Sequence, residues 1–185
     1  MNVASIRYQP VEGGAFGGHF ALHVTLGAAD APSVTSTELT TRIHDCFEAL
    51  ALKSKIKGVL IDCREAVGSA EEMQSLLSTL KDWGLVVHLW VGESTRYAWF
   101  DPSQYIVVFV KSQHWPNFRV NEIRYVMPEG DWVEPDVYDV NAGAVCYIIP
   151  SEGAKGGSLI SFITECKRPW GIIKDRIAID FKVSE

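Results

Sequence analysis

The sequence predicts an α/β domain built on a mostly parallel sheet. Three observations carry that expectation. Short apolar runs of strand length alternate with amphipathic helical stretches over the first 111 residues. The apolar runs are continuous, as strands covered on both faces require. Each helical stretch is long enough to act as the crossover between parallel neighbours.

Residues 6–18 are rich in glycine with one proline, and read as a strand end and a turn. His19 to Leu26 (HFALHVTL) reads as a strand, with Phe20, Leu22, Val24 and Leu26 on one face by period-two spacing. Residues 27–37 are small and polar, hence a loop. A helix follows over about 36–53, capped by Ser36 or Thr37, with Leu39, Ile43, Cys46, Phe47 and Leu50 as its apolar stripe. KIKGVLID is a buried strand. A second helix runs from Ala70 to Trp83 behind Ser69, with Met73, Leu76, Leu77 and Leu80 inward and Gly84 ending it left-handed. LVVHLWV and YIVVFVK are the next strands. Beyond them come VNEIRYVM, an acidic loop over 128–142, the strand GAVCYIIP, a short helix over 157–166 and a terminal strand IAIDFKV.

A chain of 185 residues is the size of one domain, here 1–185, with enough apolar content (47%) to bury a core. A net charge of −6 argues against nucleic acid and anionic membrane as partners. No apolar run reaches the ~18 residues of a membrane span. The N-terminal segment lacks the pattern of a signal peptide, so the expected setting is cytoplasmic. Cys46, Cys63, Cys146 and Cys166 lie 17, 83 and 20 residues apart. None of these spacings suits a zinc site or a cysteine-held iron–sulfur cluster.

Within this order, particular residues resemble 7-carboxy-7-deazaguanine synthase, a small radical-SAM enzyme of the 7-deazaguanine (queuosine) pathway. Tyr8, Gly14, Phe16, Gly18 and Leu26 are similar to its opening strand and turn. The helix from Ala70 followed by GLVVHLWVG looks like its second helix and third strand. Lys111 ends a strand as the family's Ser-Pro-Lys does, and Pro169 and Trp170 match its last Pro-Trp. The resemblance implies a partial, incomplete TIM-like barrel of mostly parallel strands with crossover helices.

The departures fall on the chemistry. The first cluster cysteine would stand near Ala29, and residues 27–37 contain no Cys, His or Met. The Gly-Gly-Glu-Pro motif is replaced by Cys63, Arg64, Glu65 and Ala66. The polar cofactor contacts fall on Leu89 and Trp90, expected to fill the pocket. The Gln-Thr-His-Lys stretch falls on Asp175, Arg176, Ile177 and Ala178. The expectation is a cluster-less scaffold with no metal and no cofactor.

Other constellations are weak. His19 and His23, four apart on a strand, are ~13 Å from each other and do not form a metal pair. GGAFGG precedes a strand rather than a helix, and reads as a tight turn. GAKGGS around Lys155 reads as a loop. No nucleophile elbow is present.

Two functional expectations follow. The first is a binding or assembly protein: a homo-oligomer, an accessory subunit, or a component of a larger particle such as a virion. Its partner surface would use Trp99, Phe100, Trp115 and Trp132 in the least regular segments. The second is a small-molecule binder or enzyme of 7-deazaguanine metabolism. It would take a purine-like ligand at the barrel mouth, lined by His19, Glu65, His88 and Lys111.

Overall fold

The computed structural model describes residues 1–11, 19–27, 30–49, 58–65, 69–92, 100–111, 116–127, 141–150, 160, 164 and 171–172. Among these residues eight strands form one sheet: β1 (Val3–Pro10), β2 (Phe20–Leu26), β3 (Gly58–Asp62), β4 (Val86–Val91), β5 (Ile106–Lys111), β6 (Glu122–Met127), β7 (Val145–Pro150) and β8 (Gly171–Ile172). They lie side by side in chain order. β1 is antiparallel to β2, and every later pair is parallel. Two helices, α1 (Ser36–Ala49) and α2 (Ala70–Asp82), cross from β2 to β3 and from β3 to β4. The fold class is α/β as expected, and among the described strands the sheet is not closed, with β1 and β8 at its two ends.

Strand order never reverses from β2 to β8, so the sheet lacks the switch point of doubly wound folds. Both helices pack on the same face. Leu22, Val24 and Leu26 of β2 join Val59 and Ile61 of β3, Val87, Leu89 and Val91 of β4, Val107, Ile123 and Cys146 in one core. Leu39, Ile43 and Phe47 of α1 and Met73, Leu76, Leu77 and Leu80 of α2 complete it. The alternate strand residues face away from both helices, as the period-two pleat demands.

The helix ends show local logic. Ser69 caps α2, its hydroxyl accepting from the Glu72 amide at 3.2 Å. At the other end Gly84 takes φ 73°, and Leu85 N–H donates to the Leu80 carbonyl while Gly84 N–H donates to that of Lys81. That paired closure is the Schellman arrangement, and a side chain at Gly84 would strain it. For α1 the expected cap was one residue late. Thr35 caps it, its hydroxyl accepting from the Glu38 amide at 3.1 Å, which is the cap-to-N3 spacing.

Other differences concern strands. The strand end expected near residue 6 is an eight-residue antiparallel strand beginning at Val3. β8 was not foreseen, because two residues carry no periodicity. Phe20 is 54% exposed despite sharing its face with Leu22, because it is the first residue of β2 and extends beyond the core. Of the expected helix over 157–166, Ile160 and Thr164 are described and both are helical, with the Thr164 hydroxyl donating to the Ile160 carbonyl, while the terminal strand over 177–183 and most of the acidic loop lie outside the described residues. No helix among the described residues is long and apolar enough to cross a membrane.

Candidate functional site

The side of the sheet that faces away from the helices carries a polar layer. Its positions follow from the register. Thr25, Asp62, Trp90, Val108, Glu122 and Val145 lie in one row across β2 to β7. His23, Leu60 and His88 lie in the row below, toward the strand N-termini. Val110, Arg124 and Tyr147 lie in the row above. Asp62 and Trp90 stand where β3 and β4 end, and the same row falls on the first residues of β6 and β7, Glu122 and Val145.

Trp90 is central. Its partly buried ring packs beside the small cluster of Val11, Ala21 and Leu60. The guanidinium of Arg124 lies 4.4 Å from the ring centroid and that of Arg64 5.5 Å. Cations over an indole are attracted by its ring quadrupole. Each arginine is also held by an acid two residues earlier. Arg124 Nε donates to Glu122 Oε1 at 2.5 Å, with both side chains almost wholly buried (3% and 4% exposed). Arg64 makes a two-point contact with Asp62, Nε to Oδ1 at 2.9 Å and Nη2 to Oδ2 at 2.7 Å. The Arg64 amide also donates to Asp62 Oδ1 at 3.2 Å, closing a tight turn past the end of β3. The hydrogen bonds to Asp62 hold the Arg64 guanidinium above its ordinary pKa. Its side chain is 40% exposed, against 14% for Asp62.

Two buried histidines sit beneath this row. His23 Nδ1 lies 3.2 Å from Gln9 Nε2 on β1. His88 is pushed down to about 4 by burial, then by the Arg124 charge and by His23. It is therefore neutral at pH 7 and offers one donor and one acceptor. Tyr147 crosses Gly171, where an added Cβ would come within 2.6 Å of its ring. Burial raises the pKa of its hydroxyl, so it stays protonated.

The three described cysteines are withdrawn from solvent. Cys63 is fully buried, its thiol donates to the Trp90 carbonyl, and burial raises its pKa. Cys146 is buried and Cys46 half-buried. No group of three metal-ligating side chains occurs among the described residues.

The residues singled out from the sequence are scattered. His88 lies within the polar layer, on the third residue of β4. Glu65 is exposed just past β3, next to Arg64. Lys111 ends β5, in register with Tyr125. His19 is exposed ahead of β2, at the opposite end of the sheet, where its carbonyl accepts from Val11 N–H. Six residues separate it from the level of Asp62, roughly 20 Å along a strand. Phe100 is partly buried against the helix-side core, edge-on to Tyr105 at 6.3 Å. Trp99, Trp115 and Trp132 lie outside the described residues.

The expectation that Leu89 and Trp90 both fill a pocket divides between the faces. Leu89 is in the helix-side core, and only Trp90 reaches the polar layer. Sequence reading missed Asp62, Glu122 and Arg124 as a set. The signal was present in β6, where Glu122 and Arg124 stand two apart in an otherwise apolar strand. On a period of two, both charges share one face.

Comparison of the chain with family models, with curated proteins and with solved structures finds no match in any of the three.

Proposed function

We propose that this chain is a cluster-less scaffold on the partial-barrel plan of the radical-SAM deazaguanine synthases, and that it binds a small planar polar molecule, purine-like in shape, beside Trp90 where β3 and β4 end. The observation that carries this reading is the buried Glu122–Arg124 pair beside Trp90. Burying two charges is costly, and apolar residues of equal volume usually serve stability as well or better. Ionisable groups gathered beside an aromatic ring, next to the ends of β3 and β4, therefore point to recognition. Trp90 supplies a stacking surface, while His88 and Tyr147 supply neutral donors and acceptors.

Two further features support a scaffold without a cluster. The end of the loop after β2 is committed to structure: Asn2 and Ser33 form an antiparallel bridge, and Val3 N–H donates to the Pro32 carbonyl. The Met1 ammonium contacts the Val34 carbonyl at 2.8 Å and Glu72 at 3.1 Å. In addition, a parallel sheet in unbroken chain order with both helices on one side is what an incomplete barrel requires.

The test is a thermal-shift panel of purine bases, nucleosides and S-adenosylmethionine, because a ligand that binds the folded state raises its melting point. A saturable rise with a purine-like compound supports the reading, and a flat response to all of them counts against it. Anaerobic reconstitution with iron and sulfide should leave the visible spectrum flat. A stoichiometric cluster absorbance would overturn the cluster-less part.

A second reading, self-association or assembly into a larger particle, is favoured by one observation. Phe20 and Val86 each begin a strand and are 54% and 44% exposed, and Trp83 lies at the same end after α2. Native mass spectrometry showing a stable oligomer would support it.

A further inference from the structure

Arg64 is arranged as a bound ligand would be. Its planar fork makes two parallel N–H contacts to one carboxylate, that of Asp62, and lies over the Trp90 ring. Those are the two interactions by which proteins recognise an external guanidinium. The room for it is built in. Gly92 lies against the Arg64 stem, with its Cβ direction 3.5 Å from Arg64 Cβ and Cγ.

The two arginines differ in how firmly they are placed. Arg124 is nearly wholly buried, and at 4.4 Å it is the closer to the indole. Arg64 sits in a turn beyond the strand end, 40% exposed and 5.5 Å from the ring. Arg64 is the half-exposed partner of this pair and Asp62 the more buried one, so water reaches the guanidinium and competes for it. Displacing Arg64 would uncover Asp62, a carboxylate held at the end of β3 beside an aromatic face. Glu65, exposed next to it, adds a second negative charge at the rim.

We infer that Arg64 is an internal surrogate occupying a subsite for a planar cation with two parallel N–H donors, a guanidinium or an amidinium, which binds by replacing it on Asp62 and Trp90. This assignment rests on the reading that a small planar molecule binds beside Trp90 where β3 and β4 end, and it names the group that such a molecule presents to Asp62. Arg64 then acts as a competing plug, so the subsite is weak in the native chain and strengthens when the plug is removed.

The probe is methylguanidinium chloride, titrated while the indole N–H resonance of Trp90 is followed by NMR. Loss of one indole peak in Trp90→Phe assigns it. Arg64→Ala should bind the probe saturably in the millimolar range, at least fivefold more tightly than the native chain. Methylammonium chloride, a cation without the planar fork, and urea, planar but neutral, should leave the peak in place at equal concentration. Adding Asp62→Asn to Arg64→Ala should abolish the response. Equal affinity in the native chain and Arg64→Ala would overturn the inference. So would a response that survives Asp62→Asn, or one that methylammonium reproduces. Because Arg64 is half-exposed in a turn past the end of β3, Arg64→Ala should keep the far-ultraviolet circular dichroism of the native chain. If it does not, Arg64→Lys, which retains charge but cannot form the two-point contact, gives the same comparison. A purine panel that fails while methylguanidinium binds would refute the purine-like reading and leave this subsite standing.

Discussion

Removing the charge of Glu122 while keeping its shape should destabilise the fold severely. In Glu122→Gln the Arg124 guanidinium stays 2% exposed with its carboxylate partner gone. Breaking one side of a buried pair costs about 3–5 kcal/mol, because the remaining charge is left in a poorly solvating site. That is a large share of the 5–15 kcal/mol typical of folded domains. For a chain of this length it corresponds to a fall in melting temperature of roughly 6–20 °C. The same argument gives the opposite result for the double replacement Glu122→Leu with Arg124→Met. Both charges then leave together and similar volume remains, so stability should stay within about 1 kcal/mol of the native chain or exceed it. Urea denaturation of the native chain, both singles and the double closes the thermodynamic cycle. A cost below about 1 kcal/mol for Glu122→Gln would mean that water reaches the pair. An unfolded double variant would mean that the pair is needed for the fold itself. Either result refutes the argument that these charges are kept for recognition.

Other expectations follow from the same structure. Leu77→Ala, at a side chain with no exposure between α2 and the sheet, should cost about 2–5 kcal/mol in the same denaturation assay. Ser69→Ala removes the hydroxyl that satisfies the Glu72 amide and should cost about 1 kcal/mol, with m unchanged. The pH dependence has a definite sign. His88 titrates at about 4 in the folded chain, below its ordinary 6.5, so the unfolded chain binds the extra proton. Its contribution is complete above pH 6.5 and is lost as pH falls from there toward 4. His88→Phe should flatten that segment of the stability curve, and an unchanged slope would show that His88 is not the titrating group.

Much of the fold was legible because its signals are local. The α2 stripe of Met73, Leu76, Leu77 and Leu80, its Ser69 cap and its Gly84 terminator stand in the sequence as they do in space. The strands from β2 to β7 were legible as apolar runs of the right length. The α1 cap moved by one residue because Thr35, Ser36 and Thr37 are chemically near-equivalent, and only backbone geometry selects among them. The site was much less legible. Arg64 read only as one of the replacements in the glycine motif. Its use emerges only when the turn past β3 folds it onto Asp62 and Trp90. His19 and His88 look equivalent as strand-end histidines, yet parallel register puts one at the far end of the sheet and the other in the polar layer. Sequence spacing gives the face of a strand, but the neighbours on that face come from register.

The central claim is that the buried charges on the helix-free side form a binding site. Isothermal titration calorimetry of purine bases and nucleosides against the native chain and the Glu122→Leu/Arg124→Met double variant tests it directly. The account predicts one saturable site in the native chain and at least tenfold weaker binding in the equally stable double variant. No binding to the native chain, or equal binding to both, would contradict it.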